Sequence, residues 1–338
     1  MANYIGFDLG TMNLKMFNRN SDEIIKIKNT VAIIKKNVLY AYGNDAYDMF
    51  EKAPENITVS FPIVNGVIAD YGNMQNMIIK FLDTQSRGRI KGTDYIVAVP
   101  TDITEVEKKA FFDLLYKSKL KPKKVLLCDK PIANAMGLGL DANEPTGVMI
   151  VDIGSDTTEI SVVSLGGLVI TELLHFGGSR LDESIISYIR RNDNLIIGQK
   201  TAMQLKEHIG NAFPEDEVTS YKVVGMNVVS GLPVEAEITS DKIYNATKDN
   251  LSSICSSVRM VLEKTPPEIA RDIVKSGIYI TGGSSQYRNL DKLFEQISGI
   301  KVNTCEHPEE TVVRGLAAIV SDPKYKNLAY TMKTKVFK

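Results

Sequence analysis

Cysteine and histidine are scarce in this sequence of 338 residues. The three cysteines lie far apart and form no CxxC pair, which argues against a disulfide framework or a cysteine zinc site and fits a reducing compartment. The three histidines are too scattered for a metal site or a catalytic triad. Redox, zinc and histidine-based hydrolytic chemistry therefore have no support in the sequence.

An excess of one charge and long apolar runs are also missing. Forty basic side chains meet forty-one acidic ones, so the net charge of −1 argues against a surface built for nucleic acid. No apolar run reaches the roughly 18–20 residues that span a bilayer, and the first residues, MANYIGFDLG, do not resemble a signal peptide. The composition predicts a soluble cytoplasmic protein of two domains.

What the sequence does contain is an internal repeat. Residues 4–17 (YIGFDLGTMNLKMF) and 148–163 (VMIVDIGSDTTEISVV) each read as a strand, an Asp-x-Gly turn and a second strand. The aligned pairs are Asp8 with Asp152, Gly10 with Gly154, and Thr11 with Ser155. Two related half-molecules that face each other would produce this pattern, although two unrelated hairpins would too.

Strands and helices alternate along the chain, which predicts an α/β fold with mixed sheets. Strand-like runs cover 94–99, 124–128 and 277–281. Helical spacing and capping residues predict helices over 104–118, 129–140, 179–191, 198–210 and 240–264, with Asp129 as an N-cap.

The two Asp-x-Gly turns have the chemistry of phosphate loops. Glycine lets backbone N–H groups approach a phosphate closely, as at Gly10–Asn13 and Gly154–Thr157. Asp8 and Asp152 would hold Mg²⁺ between them through water; alternatively, both are ordinary turn residues. A third glycine turn, 281–285, follows a strand and precedes a helix predicted near Gln286, an arrangement suited to a nucleoside.

The motifs DLGTMN, DIGSDTTE and ITGGSS, in this order, resemble the two phosphate motifs and the adenosine motif of the actin superfamily. Residues 62–71, 130–140, 177–210 and 281–294 look like the MreB family of bacterial actins, and the resemblance runs from about residue 4 to residue 320. The 177–210 block is its most specific part.

The resemblance implies an actin-like ATPase fold of four subdomains with ATP and Mg²⁺ in the interdomain cleft. The domains would be 1–145 with a small insert at about 30–65, and 146–320 with an insert at about 181–245, followed by a basic tail, 321–338. It also implies head-to-tail protofilaments, often paired antiparallel, under the cytoplasmic membrane, with paralogous actin-like proteins as further partners and no nucleic acid.

The same resemblance assigns residues to roles. Those around the phosphates would be Gly10, Thr11, Met12, Asn13, Gly154, Ser155, Asp156, Thr157 and Thr158. Those around ribose and adenine would be Gly178, Lys206, Gly282, Gly283, Ser284 and Ser285. Lys206 has an alternative reading as a solvated helix lysine. Asp8, Asp152, Lys130 and Thr157 would surround the reacting phosphate, with Thr157 orienting water.

Lys130 is the main departure from the family pattern, because it replaces the glutamate that deprotonates the attacking water. An ammonium cannot accept that proton unless its pKa falls by several units, and pairing with ATP would stabilise the ground state instead. The sequence therefore predicts nucleotide binding with slow hydrolysis. The alternative is that Asp129 supplies the carboxylate. A second departure, Asp156, adds negative charge beside a negative ligand.

Membrane attachment has two candidate segments. The loop 86–92 carries three cations and one apolar residue, so it favours electrostatic contact over insertion. The tail from Lys324 has five lysines, with Tyr325, Leu328 and Met332 at helical spacing; it is either a basic amphipathic segment or a solvated tail.

Three functions remain open at this stage. The first is a polymerising cytoskeletal ATPase that shapes the cell through wall synthesis, or shapes and moves a wall-less helical cell. The second is a nucleotide-binding filament scaffold with negligible turnover that assembles with an active paralogue. The third, a small-molecule kinase on the same fold, is disfavoured by the 177–210 block.

Overall fold

The computed structural model describes residues 4–35, 38–86 and 92–332. Its strands, in chain order, are β1 (Tyr4–Leu9), β2 (Asn13–Asn18), β3 (Glu23–Lys28), β4 (Val31–Ile34), β5 (Val38–Tyr42), β6 (Ile57–Ser60), β7 (Ile63–Val64), β8 (Val67–Ile68), β9 (Asp94–Val99), β10 (Val125–Asp129), β11 (Val148–Ile153), β12 (Thr158–Ser164), β13 (Gly167–Leu174), β14 (Leu195–Ile196), β15 (Ser220–Asn227), β16 (Pro233–Thr239), β17 (Ile278–Thr281) and β18 (Val302–Asn303).

The α-helices are α1 (Asn44–Met49), α2 (Tyr71–Ser86), α3 (Glu105–Tyr116), α4 (Lys130–Gly137), α5 (Gly178–Asp193), α6 (Gln199–Ile209), α7 (Ser240–Lys264), α8 (Pro267–Ser276), α9 (Leu290–Ser298) and α10 (Thr311–Ser321). Short 3₁₀ helices cover Gly283–Gln286, Pro308–Glu310 and Pro323–Leu328. Within the described ranges, no helix combines the length and apolar character that crossing a bilayer requires.

Two mixed sheets of the same topology form the centre of the molecule. The first has the order β10-β9-β1-β2-β3 and the second β18-β17-β11-β12-β13. In each, the inner strand pairs in parallel on one side and forms an antiparallel hairpin on the other, β1 with β2 and β11 with β12. The repeat predicted from the two Asp-x-Gly motifs is therefore a repeat of the fold.

Two three-stranded sheets and the two-stranded sheet β7–β8 accompany the main ones. β5-β4-β6 lies within the first predicted insert and β14-β15-β16 within the second. The strands β15 and β16 alternate exposed positions with half-buried or buried ones, as expected of a sheet with one face in solvent. The exact domain boundaries stay a prediction.

Three apolar clusters hold these layers together. One packs around Phe7 and Phe111 against the first sheet, and a second packs around Val151 and Phe294 against the second. A third joins α4 and α10 to residues of both sheets. Strand β9 is buried along its whole length, because helices or neighbouring strands cover both of its faces.

Most predicted elements form, with two local differences. The helix that begins at Lys130 ends at Gly137, three residues early, and Gly139 beyond it has a φ of +77°. The helix predicted near Gln286 is a 3₁₀ turn, and α9 begins only at Leu290, after Asn289 in a left-handed conformation. A left-handed residue cannot continue a right-handed helix, which explains both breaks.

The predicted free tail is corrected over most of its described part. Leu328 is buried, and the backbone of Tyr330 pairs with Leu127 at the edge of the first sheet (N···O 2.8 and 2.9 Å). Tyr325 and Met332 pack against apolar clusters rather than facing a surface. Residues 333–338 and most of the predicted membrane loop, residues 87–91, lie outside the described residues.

Candidate functional site

A cavity of about 500 Å³ lies between the turns of the hairpins β1–β2 and β11–β12. It collects nearly all the predicted site residues from six separate segments of the chain. Those that line it are Asp8, Gly10, Thr11, Met12, Asn13, Lys130, Asp152, Gly154, Ser155, Asp156, Thr157, Gly178, Lys206, Gly282, Gly283 and Ser284.

Two predicted ligands, Thr158 and Ser285, do not line the cavity. The hydroxyl of Thr158 donates to the carbonyl of Phe176 (2.8 Å), and that of Ser285 donates to the carbonyl of Gly282 (2.7 Å). Both side chains are buried. They hold the loops in shape, and the prediction that they contact a ligand is corrected.

The two hairpin turns have the same backbone geometry. Gly10 donates its N–H to the carbonyl of Asn13 (3.1 Å), and Gly154 donates to that of Thr157 (2.8 Å). A Cβ at either glycine would lie about 3 Å or less from the same carbonyl oxygen, at 2.9 and 3.0 Å respectively. A larger residue at either position would therefore crowd the turn, which favours glycine there.

The third glycine turn closes against the second hairpin. Gly282 has a φ of +85°, and a Cβ there would lie 2.4 Å from Asp152 Oδ1. Ser284 donates its hydroxyl to the carbonyl of Gly154 (2.8 Å), which also accepts from the N–H of Gly178 (3.0 Å). Three loops distant in sequence thus form one wall of the cavity.

Asp8 is enclosed by two lysines at the floor of the cavity. It is 2% exposed; Lys15 Nζ donates to its Oδ2 (2.7 Å), and Lys130 Nζ lies 3.6 Å from its Oδ1. Lys15 stands opposite Asp8 in the β1–β2 pairing, which makes their contact a consequence of strand register. Burial opposes ionisation, but the two ammonium groups outweigh it and hold the pKa of Asp8 below its ordinary value.

Lys130 is buried among carboxylates. Burial by itself would lower the pKa of Lys130, but the surrounding acids, Asp8 foremost, raise that pKa above its ordinary value. Lys130 therefore stays an ammonium and cannot accept a proton from water, as the sequence predicted. Its nearest anionic group in the structure is Asp8, and this contact competes with the pairing to ATP expected from the sequence.

Asp129 does not replace the missing base. Its carboxylate does not line the cavity but accepts the hydroxyl of Tyr330 (2.7 Å). The predicted capping contact is also absent, since no side-chain hydrogen bond caps α4. The alternative in which Asp129 activates water is thereby corrected.

Glu159 occupies in the second hairpin the place that Lys15 has in the first, opposite Asp152 in the β11–β12 pairing. It is 4% exposed, and its Oε1 accepts the N–H (2.6 Å) and the hydroxyl of Thr101. Burial raises the pKa of Glu159 to about 7, more than Thr101 and Lys130 lower it. Equivalent positions in the two halves thus hold a basic side chain in the first and an acidic one in the second.

Asp152 lies on a hydrogen-bonded relay from α10. The amide of Asn134 donates to its Oδ2 (3.0 Å), and the hydroxyl of Thr311 donates to Asn134 Oδ1 (2.6 Å). Asn134 is buried on α4, so this relay links the second hairpin to both helices. Asp152 Oδ1 lies so close to Gly282 that only a glycine fits at that position.

Asp156 and Lys206 both have protein partners. Asp156 accepts the hydroxyl of Ser179 (2.9 Å) and the N–H of Asn65 (3.2 Å) from the other half of the molecule. Lys206 pairs with Asp182 (2.8 Å) and donates to the carbonyl of Gly178 (3.0 Å). Lys206 is therefore a buried, oriented cation of the cavity wall and not a solvated helix lysine.

The chain matches the model of the family described as MreB/Mbl protein over residues 2–327. The chain belongs to the MreB/Mbl family. It is 36% identical to the cell shape-determining protein MreB of Escherichia coli K12 over 321 residues, which covers 93% of this chain and 92% of that one. It is 32% identical to the cell shape-determining protein Mbl of Bacillus subtilis, covering 95% and 96%.

Solved structures agree with this assignment. MreB5 of Spiroplasma citri bound to ADP superposes with a TM-score of 0.90 at 31% identity, covering 97% of this chain and 98% of that one. The same protein bound to AMPPNP gives a TM-score of 0.91. The predicted family and the predicted α/β actin-like fold are confirmed.

The pair of carboxylates predicted to hold Mg²⁺ does not fit that role in this family member. Asp8 Oδ2 is bound to Lys15, and Oδ1, which has no hydrogen-bond partner among the described residues, faces Lys130. An ion held by Asp8 would therefore meet two ammonium groups that already face both oxygens of this carboxylate. No cluster of three or more acidic, histidine or cysteine side chains in the described ranges could hold a metal ion.

Several charged residues that line this MreB/Mbl cavity were not predicted from the sequence. The additional charged side chains that line it are Lys15, Lys26, Lys28, Glu159, Asp182, Glu207, Arg288 and Glu309. Lys15 and Glu159 each stand seven positions after the aspartate of their hairpin. An alignment of the two hairpins through their second strands identifies both Lys15 and Glu159.

Proposed function

We propose that this chain is an adenine-nucleotide-binding, filament-forming bacterial actin that determines cell shape, with slow ATP hydrolysis. The observation that carries the proposal is the cavity between two equivalent glycine-turn hairpins, closed by a third glycine loop. Its structural relative from Spiroplasma citri, at 31% identity, is known bound to ADP and to AMPPNP.

The hairpin turns would hold the phosphates. Backbone N–H groups and hydroxyls around Thr11–Asn13 and Ser155–Thr157 face the cavity and suit anionic oxygens. Lys206, Gly178 and the 282–284 loop also line the cavity and suit ribose and adenine. Thr157 would orient water. Mg²⁺ enters this proposal as a companion of the nucleotide phosphates and not as an ion held between Asp8 and Asp152.

Calorimetry with ATP, ADP and AMPPNP tests the binding part. Micromolar or tighter association supports the proposal, and no heat of binding for any of the three nucleotides in the presence of magnesium would overturn it. Electron microscopy and sedimentation with ATP, with ADP and without nucleotide test assembly. We expect filaments with ATP, arranged as head-to-tail protofilaments in antiparallel pairs.

Slow hydrolysis follows from the charge of Lys130. We expect Lys130→Glu to increase single-turnover phosphate release by about 10²-fold, since general-base help is worth 10²–10⁴-fold. Lys130→Met is the matched control, because it removes the ammonium without adding a base. A rate for Lys130→Glu no higher than that of the parent chain would contradict this account, as would an equal gain in both variants.

A second candidate function is a scaffold with negligible turnover that assembles with an active paralogue. The same observation favours it, an ammonium buried where the family has a base. Phosphate release measured together with sedimentation separates the two. Filaments without phosphate release, and phosphate release only after an active paralogue is added, would identify the scaffold.

We place the filaments at the cytoplasmic face of the cell membrane, with the basic C-terminal residues as the contact. The role is either to organise wall synthesis or to shape and move a wall-less cell, and similarity to the Spiroplasma citri protein supports the second. Expression in a wall-less helical cell and in a rod-shaped walled cell, scored by cell shape, distinguishes these roles.

A further inference from the structure

The floor of the cavity contains a compact group of three charges that we call the Asp8 triad: Asp8, Lys15 and Lys130. Each carboxylate oxygen of Asp8 faces one ammonium group, Oδ2 at 2.7 Å from Lys15 and Oδ1 at 3.6 Å from Lys130. All three side chains are at least 85% buried and line the cavity. Charges buried this far from solvent are weakly screened.

The triad carries the charge that a carboxylate and a divalent cation would carry together. One aspartate and two lysines sum to +1, and one aspartate with Mg²⁺ also sums to +1. Mg²⁺ normally offsets two of the about four negative charges of a bound triphosphate. The two lysines would supply the same offset from fixed positions, Lys15 on β2 and Lys130 at the start of α4.

The floor carries other charges, and two of them, Asp152 and Glu159, also attract Lys130. Asp152 and Glu159 stand on the second hairpin, where Asn134 and Thr101 hold them. Lys206 is paired with Asp182, and Lys26 with Glu309 (3.2 Å), so these cations are engaged away from Asp8.

We propose that Lys15 and Lys130 replace the divalent cation in neutralising the nucleotide phosphates, so that this chain binds adenine nucleotide almost as tightly without Mg²⁺ as with it. The inference rests on the proposed nucleotide-binding function and concerns the cation requirement of the same site. It follows from the mismatch between the triad and the metal position expected from the sequence.

The experiment is calorimetry of the full chain with AMPPNP, which avoids turnover, in buffer with magnesium chloride and in buffer with EDTA. We expect the two dissociation constants to differ by about fivefold or less. A larger difference overturns the inference. Binding in magnesium alone would reject only this inference, whereas no binding in either buffer would reject the proposed function itself.

Variants locate the effect. Lys130→Glu should make binding magnesium-dependent, with the ratio of the two constants rising by about tenfold or more, and Lys15→Leu should raise it by about threefold or more. Lys292→Glu is the matched control: it makes the same charge change as Lys130→Glu at an exposed lysine of α9, outside the cavity, and should leave the ratio unchanged. Equal ratios in all three variants would contradict the role of the triad.

Folding of each variant is checked by its circular dichroism. Should Lys130→Glu not fold, Lys15→Leu and the parent chain still decide the outcome, because the parent ratio alone separates a magnesium-dependent site from an independent one.

Discussion

Glu159 places a buried acidic side chain in the cavity. Its strand-pair partner is Asp152, a residue of the same charge type, and burial raises the pKa of Glu159 to about 7. An unfolded glutamate titrates near 4.5. Between about pH 4.5 and 7 the folded chain therefore keeps a proton that the unfolded chain releases, so the free energy of unfolding falls as the pH rises through this window.

We expect Glu159→Gln to remove that dependence, because the amide oxygen can still accept from Thr101 while no charge develops. Between about pH 5 and pH 8, the free energy of unfolding of the parent chain should fall by about 2 kcal/mol more than that of the variant. Urea unfolding at several pH values measures this difference.

The control for Glu159→Gln is Glu217→Gln, the same chemical change at an exposed glutamate. It should follow the pH profile of the parent chain. A profile for Glu159→Gln that also coincides with the parent would mean that Glu159 ionises normally, and would sink the prediction.

Residue roles that depend on strand register were not predicted from the sequence. The sequence was enough to predict the roles of the Asp-x-Gly turns, the glycine loop and Lys130, because turn chemistry and a departure from a motif are local signals. Lys15 and Glu159 were not predicted, since they act through a partner across a hairpin. Thr158 and Ser285 were wrongly predicted to contact the ligand, because a hydroxyl near a phosphate motif can form a backbone hydrogen bond as readily as a contact with a ligand.

The contact between α4 and α10 is the element on which the floor depends. The helices cross so closely that a Cβ at Gly137 would lie 1.8 Å from the carbonyl oxygen of Thr311, and one at Gly315 would lie 1.7 Å from that of Ala133. Lys130 begins α4, and Thr311 begins the relay to Asp152. Any separation of these helices must therefore shift the charges of the cleft.

We expect Gly315→Ala to lower the free energy of unfolding by about 2–3 kcal/mol, the usual cost of overpacking, and to weaken nucleotide binding. Urea unfolding and calorimetry provide the two readouts. The control is Gly72→Ala in α2, where the nearest atom to the new methyl group is Asp70 Oδ1 at 3.9 Å. The control should be neutral or stabilising by less than about 1 kcal/mol, and equal losses in both variants would refute the crossing as the cause.

Of the two helices that cross here, sequence patterns predicted α4 but not α10, and they did not predict how closely the two approach. Capping residues and apolar spacing predicted the bounds of α3, α5, α6 and α7 within a few residues. The repeat predicted the hairpin of each main sheet. The glycines of α4 and α10 carry no local signal for contact, because a glycine in a helix has meaning only through the chain that approaches it.

At the scale of the whole molecule, the chain returns to its first half after completing the second. Within the segment 323–330, Lys324 pairs with Asp141 (2.5 Å), Asn327 donates to Asn143 (2.8 Å), Leu328 is buried and Tyr330 pairs with the edge strand β10. The lysines at 324 and 326 therefore belong to a packed segment. Residues 333–338, which include three lysines and one phenylalanine and lie outside the described residues, remain the candidate membrane contact of the tail.

We expect a chain that ends at Met332 to keep its stability and nucleotide binding but to lose about 100-fold in its partition onto vesicles with anionic lipid, since each basic residue near such a surface is worth roughly 1 kcal/mol. Vesicle co-sedimentation at low salt measures this, with neutral vesicles as the control. A chain that ends at Asp322 cannot serve, because the loss of Leu328 and Tyr330 exposes the edge of the sheet and unfolding would imitate lost binding. Equal binding by the full chain and the chain ending at Met332 would move the contact elsewhere, first to the basic loop 86–92.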